Sequence, residues 1–326
     1  MSHPSVSSLR QPRAFFALLA AGLAGPHLAG ATAEVTVDFA TVRTVLSPLT
    51  FSMCASGYGA DGTQLPHQPA QVARLAALKI ALMRINLGYR TAGDPGSGLV
   101  CLAGGADPSL TGEEWLAAIR RTGAVPAVRL QMNPAQGPAV WAADAASLVR
   151  EFNLTRRERI DRWIIGNEPD GKTGLGLDAY TEGFIAMFRA MKAVDPTIAI
   201  GGPATASYQA PEDGFLKSFL RRLHAAGLTP DFVDFHSYGT GTNPIADADL
   251  LALTAKKYRD EPADLRRFLI TLWGPEVGGA LPIELGEWNL SWRADPRQLQ
   301  PFATVWAALA LSHMVNAGLI ERQFAD

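Results

Sequence analysis

Trp163-Ile164-Ile165-Gly166-Asn167-Glu168-Pro169-Asp170 is the stretch whose reading decides the fold: apolar and small residues run into a carboxylate that is followed at once by proline. Arg162 bounds the run on one side and Pro169 on the other, the pattern of a short buried strand that ends at a loop. A carboxylate at such an end is expensive unless it caps a helix, pairs with an arginine or does chemistry. One Asn-Glu-Pro tripeptide does not choose among these. A second strand of the same kind does.

Outward from this run, strand-like and helix-like segments alternate. Strand patterns occupy Leu49 to Cys54, Ile80 to Leu87, Ala124 to Gln131, Arg162 to Asn167, Thr197 to Gly202, Phe232 to Tyr238 and Leu281 to Glu287, with a weak eighth at Leu319 to Ala325. Val35 to Val45 alternates apolar and polar residues as a lead-in strand or hairpin would. Helical patterns lie between the strands: Pro69 to Leu78, Thr111 to Gly123, Pro138 to Phe152, Leu177 to Val194, Gly214 to Ala226, Asp249 to Tyr258 with Glu261 to Thr271, and Pro301 to Ala317. Thr111 and Glu114 have capping-box spacing, and Gly123 follows the last turn of that helix. This alternation predicts an α/β fold with a parallel sheet, and eight repeats favour a (β/α)8 TIM barrel over a doubly wound open sheet. The long glycine-rich loop from Gly88 to Pro108 is of a length that is more often functional than idle.

The chain has 326 residues, 48% of them hydrophobic and 18% charged, enough to bury a sizeable core. A net charge of -2, a pI of about 6.3 and no basic run argue against nucleic acid or an anionic membrane surface as a partner. Residues 1–33 read as a signal peptide: Arg10 and Arg13, an apolar core from Ala14 to Ala24 too short to span a bilayer, and Ala31-Thr32-Ala33 before Glu34. The expectation is a secreted or periplasmic protein without a membrane span, whose catalytic barrel runs over 34–326. Cys54 and Cys101 are too few and too far apart for a Cys-x-x-Cys metal site, and in an oxidising compartment they could pair.

The barrel places active sites at the carboxyl ends of its strands. Arg84 and Asn86, Gln131 and Asn133, Asn167 and Glu168, His236 and Tyr238, and Glu287, Trp288 and Asn289 all gather there. Two carboxylates from separate strands of one barrel face can converge as glycoside hydrolysis requires, one to protonate the leaving oxygen and one to attack or to activate water. Glu284 has the opposite strand parity to Glu287 and is expected to face the helical layer.

Gly-Asn-Glu-Pro at 166–169 and Gly-Glu-Trp-Asn at 286–289 resemble the acid/base and nucleophile motifs of clan A glycoside hydrolases. With Asp231-Phe232-Val233-Asp234-Phe235-His236-Ser237-Tyr238, and Ala193-Val194-Asp195-Pro196 before Gly201-Gly202-Pro203, the chain looks most like glycoside hydrolase family 39. The resemblance implies a retaining O-glycosyl hydrolase acting on a carbohydrate without a cofactor or metal, with Glu168 as general acid/base and Glu287 as nucleophile. Asn167 would bind the sugar 2-hydroxyl, and Arg84 and Tyr238 would keep Glu287 ionised. His236 and Trp288 complete the substrate-binding set, with core packing as the alternative for both, and Trp292 offers the same choice between platform and core. A retaining pair lies about 5–5.5 Å apart and an inverting pair about 6.5–9.5 Å.

Two other functions compete. A metal-dependent hydrolase needs clustered ligands, and His67, His224, His236 and His313 form no His-x-His or His-x-x-x-His pair. An inactive or truncated secreted carbohydrate-binding barrel is the other alternative. Family 39 enzymes continue past the eighth strand into a last helix and usually an appended β-sandwich, whereas this sequence stops at Asp326, so the barrel is expected to be weakest at strand and helix eight.

Overall fold

The computed structural model describes residues 48–55, 64–89, 99–101, 110–171, 174–317 and 321–324. The segment read as a signal peptide and the lead-in strand Val35 to Val45 lie outside the described residues. The elements are β1 (Ser52–Cys54), α1 (Pro69–Leu78), β2 (Leu82–Tyr89), β3 (Leu99–Cys101), α2 (Gly112–Arg121), β4 (Val125–Leu130), α3 (Pro138–Val149) and β5 (Arg162–Ile165). Then come α4 (Leu177–Val194), β6 (Ala199–Thr205), α5 (Phe215–Ala225), β7 (Phe232–Thr240), α6 (Asp247–Ala255), α7 (Glu261–Ala280), β8 (Ile283–Ser291), α8 (Pro301–Asn316) and β9 (Glu321–Phe324). The Thr111–Glu114 capping box forms as its spacing predicts. Helix α7 breaks at Gly274 (φ 78°), directly before Pro275.

Eight of the nine strands among the described residues close a parallel ring in the order β1, β2, β4, β5, β6, β7, β8, β9 and back to β1. The weak eighth pattern is thus a real strand, and it closes the ring through Ser52↔Gln323 and Met53↔Phe324. The remaining strand, β3, folds back antiparallel on β2 within the glycine-rich loop, pairing Leu87 with Cys101. Gly57-Tyr58-Gly59-Ala60-Asp61-Gly62 has the G-x-G-x-x-G spacing of a dinucleotide loop. It lies outside the described residues, and it is ring closure, not loop chemistry, that rules out an open doubly wound sheet. Between α8 and α1 no α-helix stands among the described residues, only the short 3-10 turns Pro48–Thr50 and Leu65–His67, and Leu78, Val305 and Leu309 on those two helices are exposed. No described helix is long and apolar enough to cross a membrane.

The main core lies between the strands and the helices and is built on Trp115, Trp163, Tyr180, Phe184, Phe219 and Trp306, all essentially inaccessible. A smaller cluster inside the ring, Leu82, Ala127, Ile164, Ala204 and Phe232, plugs the barrel. At the amino-terminal end of β5, Arg162 ion-pairs with the fully buried Glu284 and lies over the Phe232 ring, 4.0 Å from its centroid.

Glu284 therefore does not face the helical layer as strand parity predicts. Asp234 pairs with Glu284 and Phe235 with Leu285, but His236 pairs with Glu287, so Gly286 is an extra residue bulged out of the ladder. The β9 side shows the same shift, between Leu285↔Arg322 and Trp288↔Phe324. A β-bulge resets the inside–outside alternation, which lets Glu284 and Glu287 both point into the barrel. Cys54 is a buried thiol rather than half of a disulfide.

Removing one partner of a buried ion pair leaves the other charge uncompensated. Glu284→Ala is expected to lower unfolding free energy in urea by about 3–5 kcal/mol, and a loss under about 1 kcal/mol would show that Arg162 finds another partner.

Candidate active site

Glu168 stands one loop step beyond β5 in a left-handed conformation (φ 47°), rare for a residue with a side chain. Its N–H donates to Ala204 O at 2.7 Å, and Ala204 is itself left-handed (φ 54°) and is the bulged residue between Pro203 and Thr205 of β6. Strained backbone of this kind costs about 1–3 kcal/mol per residue and persists only where its surroundings over-determine it. Those surroundings are visible. Gly166, at φ 86°, has no room for a side chain, since a Cβ there would lie 2.6 Å from the Tyr180 ring, and Tyr180 donates its hydroxyl to Ile165 O at 2.6 Å. Beyond Glu168, Asp170 accepts from Ala206 N at 2.9 Å and from Gln209 Nε2 at 2.8 Å, tying the β5 loop to the β6 loop.

Glu287 is held from three sides. Arg84, 3% exposed on β2, donates from Nη1 to Glu287 Oε1 at 2.5 Å, and Tyr238 on β7 donates its hydroxyl to Oε2 at 2.7 Å. His236 Nδ1 lies 3.6 Å from Oε2. Burial works to raise the Glu287 pKa, but the fields of His236 and Arg84 and the hydrogen bonds from Tyr238 and Arg84 outweigh it, holding the carboxyl far below its ordinary range. The Tyr238 hydroxyl moves the other way, pushed well up by burial and by Glu287, so it remains a donor.

The same guanidinium reaches the second carboxylate's loop: Arg84 Nη2 donates to Asn167 Oδ1 at 2.8 Å. His236, fully buried, places Nδ1 3.0 Å from Glu168 Oε1, with Arg84 Nη2 3.4 Å from its Nε2. Glu168, His236 and Glu287 each offer an atom within 4.8 Å of the others, so the two carboxylates approach closely. Their settings differ. Glu287 is 22% exposed and clamped, whereas Glu168 is 40% exposed and held through His236. A cavity of about 270 Å³ opens beside Glu168 and Asn167, with Arg129, Gln131 and Leu175 among its walls.

The structure thus brings together Arg84, Asn167, Glu168, His236, Tyr238 and Glu287 from the predicted set. Trp288 is the exception. It is 4% exposed and stacks on Trp306 (centroids 5.8 Å) with Tyr258 edge-on, which makes it a core residue between β8 and α8. Its place follows from alternation beyond the bulge: once Glu287 turns inward, its neighbour must turn outward. Trp292 is 53% exposed and lies just past the end of β8. Asn86 accepts a hydrogen bond from Arg129, and Asn133 shapes its own turn by accepting from Ala135 N.

Sequence reading did not single out Asp234, Asp170 or the contact of Cys54 Sγ with Gly286 O at 3.6 Å. The alternation Asp234-Phe235-His236 was the available signal, since it places Asp234 on the same face as His236. Glu168, His236 and Glu287 are also the described group with metal-ligand spacing. They suit a cation poorly, because the Arg84 guanidinium already lies on Glu287 Oε1 and the Tyr238 hydroxyl on Oε2.

No protein-family model matches the chain, and comparison with curated proteins gives no match. Solved structures do match in fold. A glucosidase from Croceicoccus marinus aligns at TM-score 0.63 and 20% identity over 85% of this chain and 59% of its own. A GH39 enzyme from Xanthomonas axonopodis pv. citri aligns at TM-score 0.59 and 17% identity over 86% and 59%. An α-L-arabinofuranosidase from Thermotoga maritima aligns at 0.62 and 16% over 86% and 64%. The chain spans about three-fifths of the length of these structures, and at such identities the likeness establishes the barrel fold.

Two measurements check the site's physical description. Because the Glu287 pKa is depressed on folding, its stabilisation is present above the unfolded value of about 4.3 and is lost as pH falls through the folded one. Below pH 4 the native protein should lose stability more steeply than Glu287→Gln, by up to about 1.4 kcal/mol per pH unit; equal slopes would contradict the clamp. Trp288→Ala should cost about 3–5 kcal/mol in unfolding free energy, whereas a substrate platform at that position would be lost with little change in stability.

Proposed function

We propose that the protein is an exported retaining glycoside hydrolase, with Glu168 as general acid/base and Glu287 as nucleophile. The observation that carries this reading is the close approach, within 4.8 Å, of two carboxylates in opposite settings at the carboxyl end of one barrel. That spacing suits a pair between which a sugar C1 is attacked directly, and it is too short for an interposed water, which needs about 6.5–9.5 Å.

In the first step Glu287 attacks C1 while Glu168 gives its proton to the departing oxygen, leaving a glycosyl ester on Glu287. In the second, Glu168 takes a proton from water, which attacks C1 and releases Glu287. Each group's surroundings support its part. The Arg84 and Tyr238 donors keep Glu287 ionised before attack and favour its departure as a carboxylate afterwards. Glu168, more open to solvent, can exchange protons with water, and His236 fixes its orientation. Asn167, anchored by Arg84, is set to meet the sugar 2-hydroxyl. Export rests on the sequence of residues 1–33.

The fold neighbours are described as a glucosidase, β-xylosidases and α-L-arabinofuranosidases, so glucosides, xylosides and arabinofuranosides form the first panel of aryl substrates. The protein is expected to release the aryl group from at least one, with retention at C1 by NMR. Glu168→Gln and Glu287→Gln should each lower turnover by at least about a thousandfold. Inversion at C1, or native turnover in either variant, would end the assignment.

A further inference from the structure

The carboxylate of Asp234 has no place in the two-step scheme, yet it is completely buried beneath the site. Its Oδ1 accepts the N–H of Gly286 at 2.7 Å, and its Oδ2 has no hydrogen-bond partner. A buried carboxylate with an unmet oxygen is costly and calls for a reason.

Gly286 supplies that reason, because it is the bulged residue on which the direction of Glu287 depends. Its two backbone groups have left the ladder and are met by side chains. The N–H is taken by Asp234, and the carbonyl accepts from Arg84 Nη1 at 3.2 Å. A side chain at 286 would collide with the Asp234 carboxylate, so the pair is fitted to glycine. The neighbouring contacts tighten the arrangement: Arg84 that holds the carbonyl also holds Glu287 Oε1, and Tyr238, two residues beyond His236 on Asp234's own strand, holds Oε2.

We propose that Asp234 is a positioning residue of the reaction: by accepting the Gly286 N–H it fixes the bulge that turns Glu287 into the barrel and sets its distance to Glu168. The acceptor oxygen carries this role, so an amide in its place serves nearly as well and a methyl group does not. Asp234 acts through Glu287 and touches no reacting atom.

This inference rests on the glycosidase reading for its kinetic arm and stands apart from it in its structural arm. On the best aryl glycoside, Asp234→Ala is expected to lower kcat by about a hundredfold with KM within about threefold of native, as misplacement of a reacting group by about 1 Å does. Asp234→Asn should stay within about tenfold of native kcat. In a crystal structure of Asp234→Ala the Glu168 and Glu287 oxygens should no longer lie within 4.8 Å, a readout that needs no turnover. Should Asp234→Ala fail to fold, Gly286→Ala disturbs the same bulge from the other side and should likewise lower kcat at constant KM. Native kcat in Asp234→Ala or Gly286→Ala, an Asp234→Asn as impaired as Asp234→Ala, or an unmoved Glu287 would each overturn the inference. Absence of glycosidase activity in the native protein would instead count against the functional reading.

Discussion

The ion pair between Arg84 and Glu287 is the constraint on which the rest of this molecule depends. A guanidinium 3% exposed needs partners, and here its two terminal nitrogens reach Glu287, the Gly286 carbonyl and Asn167, while Nε is left without a hydrogen bond. Burial by itself works to lower the Arg84 pKa, and the fields of Glu287, Cys54 and Asp234 with the Glu287 hydrogen bond outweigh it, raising it above its ordinary value. One side chain on β2 thereby locks β8 and the loop after β5 at a common height. The fixed fork of the guanidinium is suited to that task in a way a lysine ammonium is not.

Much of the fold was legible because its signals are local. Helices α1 and α4 fall on their predicted spans, set by Pro69 and by the Asp195-Pro196 stop, and seven strands announce themselves as short apolar runs between turn residues. The six residues that converge were legible for a related reason: the carboxyl ends of barrel strands are a place that topology alone identifies. What stayed hidden is non-local. A bulge is a relation between two strands, and nothing in Leu285-Gly286-Glu287 read by itself tells that three residues of β8 match two of β7. The errors on Glu284 and Trp288 share that root. Asp234 was overlooked because its value comes from a backbone N–H 52 positions away.

The barrel interior carries two groups of charge. Arg162 and Glu284 form a closed pair beside the Phe232 ring, and Arg84, Asp234, His236 and Glu287 form an open network beside Glu168. Burial pushes the Asp234 carboxyl upward while Arg84 and His236 pull it back, and Glu287, clamped more directly, is driven the other way. Two carboxylates within one barrel are thus set apart by environment alone, which is how a fold built from like residues obtains unlike chemistry.

The closing joint of the ring has a dynamic consequence. Among the described residues, strands β1 and β9 meet over two residue pairs, against seven between β7 and β8, so the described ladder is shortest at the join between the first strand and the last. Local opening starts where backbone hydrogen bonds are fewest. Strand β1 carries Cys54, whose sulfur touches both Arg84 and the Gly286 carbonyl. Breathing at that join would be felt first at the guanidinium, so the chemistry at the barrel's centre is only as steady as its thinnest edge.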